Sequence, residues 1–296
     1  MAVPHVETAA SRKVARTPDG RMALVEHLRE LRNRLGISLL GLAVCVVVAL
    51  VFREQVFDLV KRPYCDTEVA RQAAQASADG ECNLFAFGTF EQFSVSLRVA
   101  LIVGVLASAP VWLYQLGAFI TPALHRKEKR YAAAFLGASL VLFAVGVTFA
   151  FLTISRGLQF LLTFGGDGIV TLPSIQSYLS FVTLTLLGFG VAFLFPVIVL
   201  FLNVAGVFPS AKMRSWRRGM IVGIAVAAAV LTPSQDPFTF MAMALPLYVL
   251  YEGCIVIGRV RERATRRRRA VEPGAQELER LGDDETSSLQ GVPPRR

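Results

Sequence analysis

An all-α membrane protein, six transmembrane helices in a bent bundle, is the fold this sequence predicts, on three observations. Of 296 residues, 54% are hydrophobic and the mean hydropathy is +0.52, a balance rare in water-soluble chains of this size. Apolar runs of roughly 20 residues, enough to cross about 30 Å of hydrocarbon as helix, recur along the chain. Those runs are continuous rather than alternating, which indicates helices and not a barrel.

The runs fall at 35–53, 93–120, 131–153, 178–206, 217–231 and 238–258. They divide the chain into a polar arm (1–20), a transmembrane domain (21–258) and a mixed-charge tail (259–296). Arm and tail are charged and poor in aromatics, and are expected to be mobile. No small-residue cleavage pattern follows the first run, so no removable signal peptide is expected.

Before the first span, "EHLRELRNRL" sets leucines three and four apart beside Glu26 and Glu30. This reads as an amphipathic interfacial helix running into the membrane. Its acids either pair with Arg29, Arg34 and lipid head groups or receive cations from a partner. The outer loop that follows, 54–92, holds Cys65 and Cys82. In an oxidising compartment the two can close a disulfide; spacing alone does not decide between a bridge and two thiols.

Span 2 carries Arg98 near its outer end, suited to snorkelling as an anchor. Pro110, Pro196 and Pro246 in spans 2, 4 and 6 each remove a helix hydrogen bond, so bent helices are expected. Span 4 is apolar apart from hydroxyls and Asn203. Span 5 rises only about 20 Å, against roughly 30 Å of hydrocarbon, so thinned bilayer or covered helix ends are expected there. Glu252, in "YVLYEGCIVIG", lies inside the last run, where an ionisable group is functional or is neutralised by a proton or a partner.

Charge orients the bundle. Lys and Arg concentrate before residue 35, in 121–130, in 207–218 and after 258, while the alternate segments are poor in cations. The positive-inside rule then places both termini in the cytoplasm. The turn "TPALHRKEKR" accordingly sets a lone acid, Glu128, among cations at the inner surface. Glu30 and Glu128 share that location and suit the bidentate capture of arginine from a partner. The arginine run 266–269 abuts a span and reads as a contact for the lipid bilayer, not for nucleic acid.

The chain lacks a Walker loop, an HExxH and a CxxC, and its histidines, His5, His27 and His125, are scattered. No cofactor, metal or enzymatic activity is expected. A proton-coupled secondary transporter of a small solute is the alternative function, but spans 2 to 4 supply few midplane polar groups for it. An intramembrane enzyme lacks its paired catalytic side chains.

The blocks "HLRELRNRL", "APVWLYQLGAFITPALHRKEKR", "SYLSFV", "FGVAFLFPV", "LTPSQDPF" and "LPLYVLYE" resemble, in order and spacing, the TatC family, the receptor of the twin-arginine protein translocase. The "PYC…GEC" loop is similar to actinobacterial members. The resemblance implies a six-helix bundle with both ends cytoplasmic and short fifth and sixth helices. It also implies a receptor that binds Arg-Arg signal peptides of folded cargo, driven by the proton-motive force. Single-span TatA and TatB type subunits are the implied partners, in a complex with several copies of this chain. Carried onto this sequence, Glu30 and Glu128 are the arginine acceptors, and Arg32, Phe119, Pro122 and Leu124 shape the same surface. Pro110, Gln115, Arg98, Pro196, Leu194, Glu252 and Asp236 fall at structural or partner-contact positions. The chain departs from the pattern at Leu194, where an acid or amide is usual, at Gly117 in place of Trp, and at Phe240 in place of Gln.

Overall fold

The computed structural model describes residues 24–76, 90–120, 129–163, 173–232 and 236–290, with 82, 84 and 88 besides. Among the described residues there are eleven helices and no strand. Four are long and apolar enough to cross a membrane, or five with one bent pair taken as a single span.

Helix α1 (Leu24–Val51) merges the interfacial segment and the first span, since no proline interrupts its 28 residues. At 1.5 Å per residue it is about 42 Å long, roughly two turns more than the hydrocarbon requires. Its first turns therefore extend beyond the apolar zone.

The outer segment, expected as a loop, folds into two helices, α2 (Arg53–Cys65) and α3 (Glu68–Ala76). The run "RQAAQA" is rich in good helix formers, which periodicity-based span finding passes over. Cys65 and Cys82 are disulfide-bonded, with Cα atoms 5.9 Å apart. Tyr64 is buried against Tyr178, ring centroids 5.7 Å apart, and the Tyr178 hydroxyl donates to the Val60 carbonyl at 2.6 Å. The disulfide thus closes this cap on itself, and the buried tyrosine pair fastens it to the bundle.

The second span is two helices, α4 (Glu91–Ala107) and α5 (Ala109–Ile120), bent by 51° across Ser108. Pro110 supplies no amide hydrogen there, so the ladder breaks. The carbonyl that Pro110 would have met is that of Leu106, and beside it the Val105 carbonyl accepts from Trp112 Nε1 at 3.1 Å and Ser108 Oγ at 3.2 Å. Satisfaction within the span is what permits a bend in lipid, where water is absent.

Helix α6 (Lys129–Thr163) runs ten residues past the expected end of the third span. The fourth span divides into α7 (Ile175–Ala192) and α8 (Phe195–Val204), parting just before Pro196. A short α9 (Ser210–Ser215) leads to α10 (Arg217–Leu231), whose 15 residues agree with the short fifth span the sequence predicts. The last helix, α11 (Pro237–Gln290), is capped by Asp236, whose Oδ1 accepts from the Thr239 amide at 2.6 Å, with Pro237 at the first helical position. The kink expected at Pro246 gives no break, and helical backbone continues past 258 to Gln290.

Helix α7 is the hub, packed on α4, α6 and α10, with Leu179, Val182, Thr185 and Phe189 all buried. Lipid gives helices no hydrophobic reason to associate, so close backbone approach does the work. A Cβ on Gly146 would lie 2.8 Å from the Phe189 carbonyl, and one on Gly190 would lie 2.8 Å from the Phe143 ring. Only glycine allows α6 and α7 this proximity. Helix α1 instead lies at the edge, seated on α4 and α5.

Candidate functional site

The extra turns of α1 build a groove at the end of the molecule where α5 finishes. Glu26, Arg29, Glu30, Asn33, Arg34 and Ile37 line it from α1, at the three- and four-residue spacing that puts side chains on one helix face, and Gln115 lines it from α5. Its volume is about 450 Å³ and it is open to the surroundings. One turn toward the start of α1, the His27 ring stacks on Phe119 at 4.5 Å, fixing α1 against α5.

Glu30 is held unevenly. Arg34 Nε and Nη2 both donate to its Oε1, at 2.9 and 2.5 Å, and Arg34 Nη1 reaches Gln115 Oε1 at 3.5 Å. Glu30 Oε2 is buried and accepts from nothing. A buried acceptor left unmade costs about 1–3 kcal/mol. A ligand that brings N–H donors and displaces the atoms covering Oε2 recovers that cost. An added cation 4 Å from the carboxylate gains roughly 4 kcal/mol of Coulomb energy at an effective dielectric of 20, before desolvation.

The structure thus brings Glu30, Gln115 and Phe119 into one place. Arg32 is exposed on another face of α1, away from the groove lining. Glu128, Pro122 and Leu124 lie outside the described residues; α6 begins one position after Glu128. Sequence reasoning passed over His27, Asn33 and the bridging role of Arg34. The helical spacing of 26, 30, 33, 34 and 37 was the signal available for the stripe, whereas nothing in the sequence links His27 to Phe119.

The other singled-out residues serve the packing. Arg98 donates to Ser180 Oγ at 2.9 Å and so ties α4 to α7, beyond anchoring its own helix end. Leu194 is buried with Ala109, Leu113 and Phe143, so an apolar contact stands where a polar one is usual in the resembled family. Glu252 is neutralised by a partner: Arg217 Nη2 donates to its Oε2 at 2.5 Å, and the Tyr248 hydroxyl to its Oε1 at 3.2 Å. Asn203 is buried and donates to the Phe208 carbonyl and to Glu262 Oε1. Glu262 also accepts from the Ser210 amide at 2.7 Å and the Ser210 hydroxyl at 2.6 Å, clamping the α8–α9 turn to α11.

Comparison with known proteins shows what the chain as a whole is similar to. The model of the family described as TatC, Sec-independent protein translocase protein, matches residues 26–246. The chain is 47% identical over 287 residues to the Sec-independent protein translocase protein TatC of Frankia casuarinae, covering 96% of this chain and 78% of that one. It is 34% identical over 300 residues to the protein of the same description from Corynebacterium kroppenstedtii, covering 96% and 71%. A crystal structure of the twin-arginine translocase receptor TatC in DDM superposes with a TM-score of 0.65 at 34% identity, covering 78% of this chain and 99% of that one.

Proposed function

This chain belongs to the TatC family, multi-pass membrane subunits of the Sec-independent protein translocase, and from that premise we propose that it is the subunit that receives Arg-Arg signal peptides of folded cargo. The observation that carries the reading is Glu30: a carboxylate in an open groove with one oxygen committed to Arg34 and the other unpartnered. Arginine brings coplanar N–H donors that match a carboxylate edge, and lysine does not. Glu128, which precedes Lys129 in the sequence, is the second acceptor in this reading.

The remainder of the proposal follows from the charge distribution and the family. Six crossings, with the short α10 as the fifth, place both termini in the cytoplasm of a bacterial cell and the disulfide-bonded cap on the opposite side. Single-span TatA and TatB type subunits and further copies of this chain assemble around it, and the proton-motive force drives transport. Binding of a fluorescent Arg-Arg signal peptide to the purified chain, with a Lys-Lys peptide as control, tests the reading. Tighter binding of the Arg-Arg peptide is expected, weakened by Glu30→Ala and by Glu128→Ala. Equal affinity for the two peptides refutes it.

A further inference from the structure

Of the carboxylates of Glu30, Asp236, Glu252 and Glu262, that of Glu30 alone has an oxygen buried without a hydrogen-bond partner. What keeps it so is Arg34. Two of its donors, Nε and Nη2, converge on Oε1, whereas a side-by-side fork would place one on each oxygen. The same guanidinium reaches across to Gln115, so the carboxylate is tied through Arg34 to α5 as well as to its own helix. Arg34 and Glu30 are each about a quarter exposed, at 24% and 22%, which limits the screening of their contact by water.

We infer that Arg34 is the positioning residue that gives the groove its preference for guanidinium over ammonium, an inference that rests on the receptor reading above. A carboxylate that rotates freely meets a point charge from any direction and treats lysine and arginine nearly alike. Held at one oxygen, it leaves the other as a single acceptor in a fixed plane. Guanidinium, with its planar set of donors, can give one N–H to that oxygen and another to a neighbouring acceptor such as the Gln115 amide oxygen. Ammonium has no such plane and is more strongly hydrated, so it gains less from an acceptor that cannot turn to meet it. Arg34 therefore acts through Glu30 and need not touch the ligand.

The experiment compares the full-length chain with Arg34→Lys and Arg34→Gln in detergent micelles, measuring Kd for an Arg-Arg and a Lys-Lys signal peptide and the melting temperature of each protein. The unsubstituted chain is expected to prefer the Arg-Arg peptide by about tenfold or more, the value of one well-made charge-assisted hydrogen bond. Arg34→Lys keeps the charge but loses the two-donor hold, and its preference is expected to fall to within about threefold of equality while Lys-Lys binding is kept. Arg34→Gln is expected to lose the preference as well. A merely structural Arg34 would weaken both peptides alike and leave their ratio unchanged. An unchanged ratio in either folded variant overturns the inference and leaves the receptor reading standing, whereas a lack of preference in the unsubstituted chain overturns the receptor reading itself. Should Arg34→Gln fail to fold, the ratio in Arg34→Lys decides.

Discussion

Glu30 on α1 and Glu262 on α11 are both acids among cations, yet the fold uses them in opposite ways. Glu262 accepts from Asn203, the Ser210 amide and the Ser210 hydroxyl, and both its oxygens are engaged. Glu30 has one oxygen engaged and one idle. The surroundings differ in the same sense. Inside the protein, 56% of the apolar stretch spanning α7 and α8 is buried, against 6% of that in α1. In the α7–α11 half the carboxylates of Glu262, Glu252 and Asp236 close a turn, pair with Arg217 and cap a helix, and the buried side-chain atoms left without a partner there, among the described residues, are Thr185 Oγ1, Thr239 Oγ1 and Arg217 Nε; on α1 it is a carboxylate oxygen, that of Glu30, that is left over. In the proposed reading, spare bonding capacity, more than charge, separates the receiving acid from the structural one.

The substitution with the largest expected effect is Glu30→Gln, which removes the charge from the idle oxygen. Arg-Arg peptide binding should weaken by roughly a hundredfold, about 3 kcal/mol, as read by fluorescence anisotropy. Stability should fall by only about 1 kcal/mol, since a partly buried ion pair becomes a neutral hydrogen bond. A large loss of stability with binding intact would erase the contrast. Glu262→Gln should do the reverse. Its amide would turn N–H groups toward the Asn203 and Ser210 donors, costing about 2 kcal/mol in denaturant titration while peptide affinity stays unchanged.

Gly104→Ala tests how α1 is seated. A Cβ there would lie 2.4 Å from Val46 Cγ2 and 3.2 Å from the Val46 backbone, so α1 must shift away from α4. A cost of about 1.5 kcal/mol is expected, with weaker peptide binding because the groove straddles α1 and α5. The smallest effect is expected from Glu252→Gln, below about 1 kcal/mol in the same titration, because the Arg217 side chain is 40% exposed and its pair with Glu252 is screened.

Much of the fold was legible in the sequence because lipid makes a severe demand on it. Apolar runs of the right length, and prolines within them, located most helices and the breaks beside Pro110 and Pro196. At Pro246 the helical backbone continues without a break, since one missing amide hydrogen does not by itself end a helix that neighbouring helices hold. The α2–α3 cap was missed because its helices are short and polar on one side, and they stand by packing on α4 and α6.

By itself the sequence determined that the chain crosses a membrane, where most spans lie, that one of them is short, and that Glu30 sits on the polar edge of an amphipathic helix. Only the tertiary structure decided which acids are occupied. Arg217 and Glu252 are 35 residues apart, Ser210 and Glu262 are 52 apart, and Arg34 and Gln115 are 81 apart. Helical periodicity reports neighbours three or four positions away, and whether a carboxylate is satisfied depends on donors that other helices deliver from far along the chain.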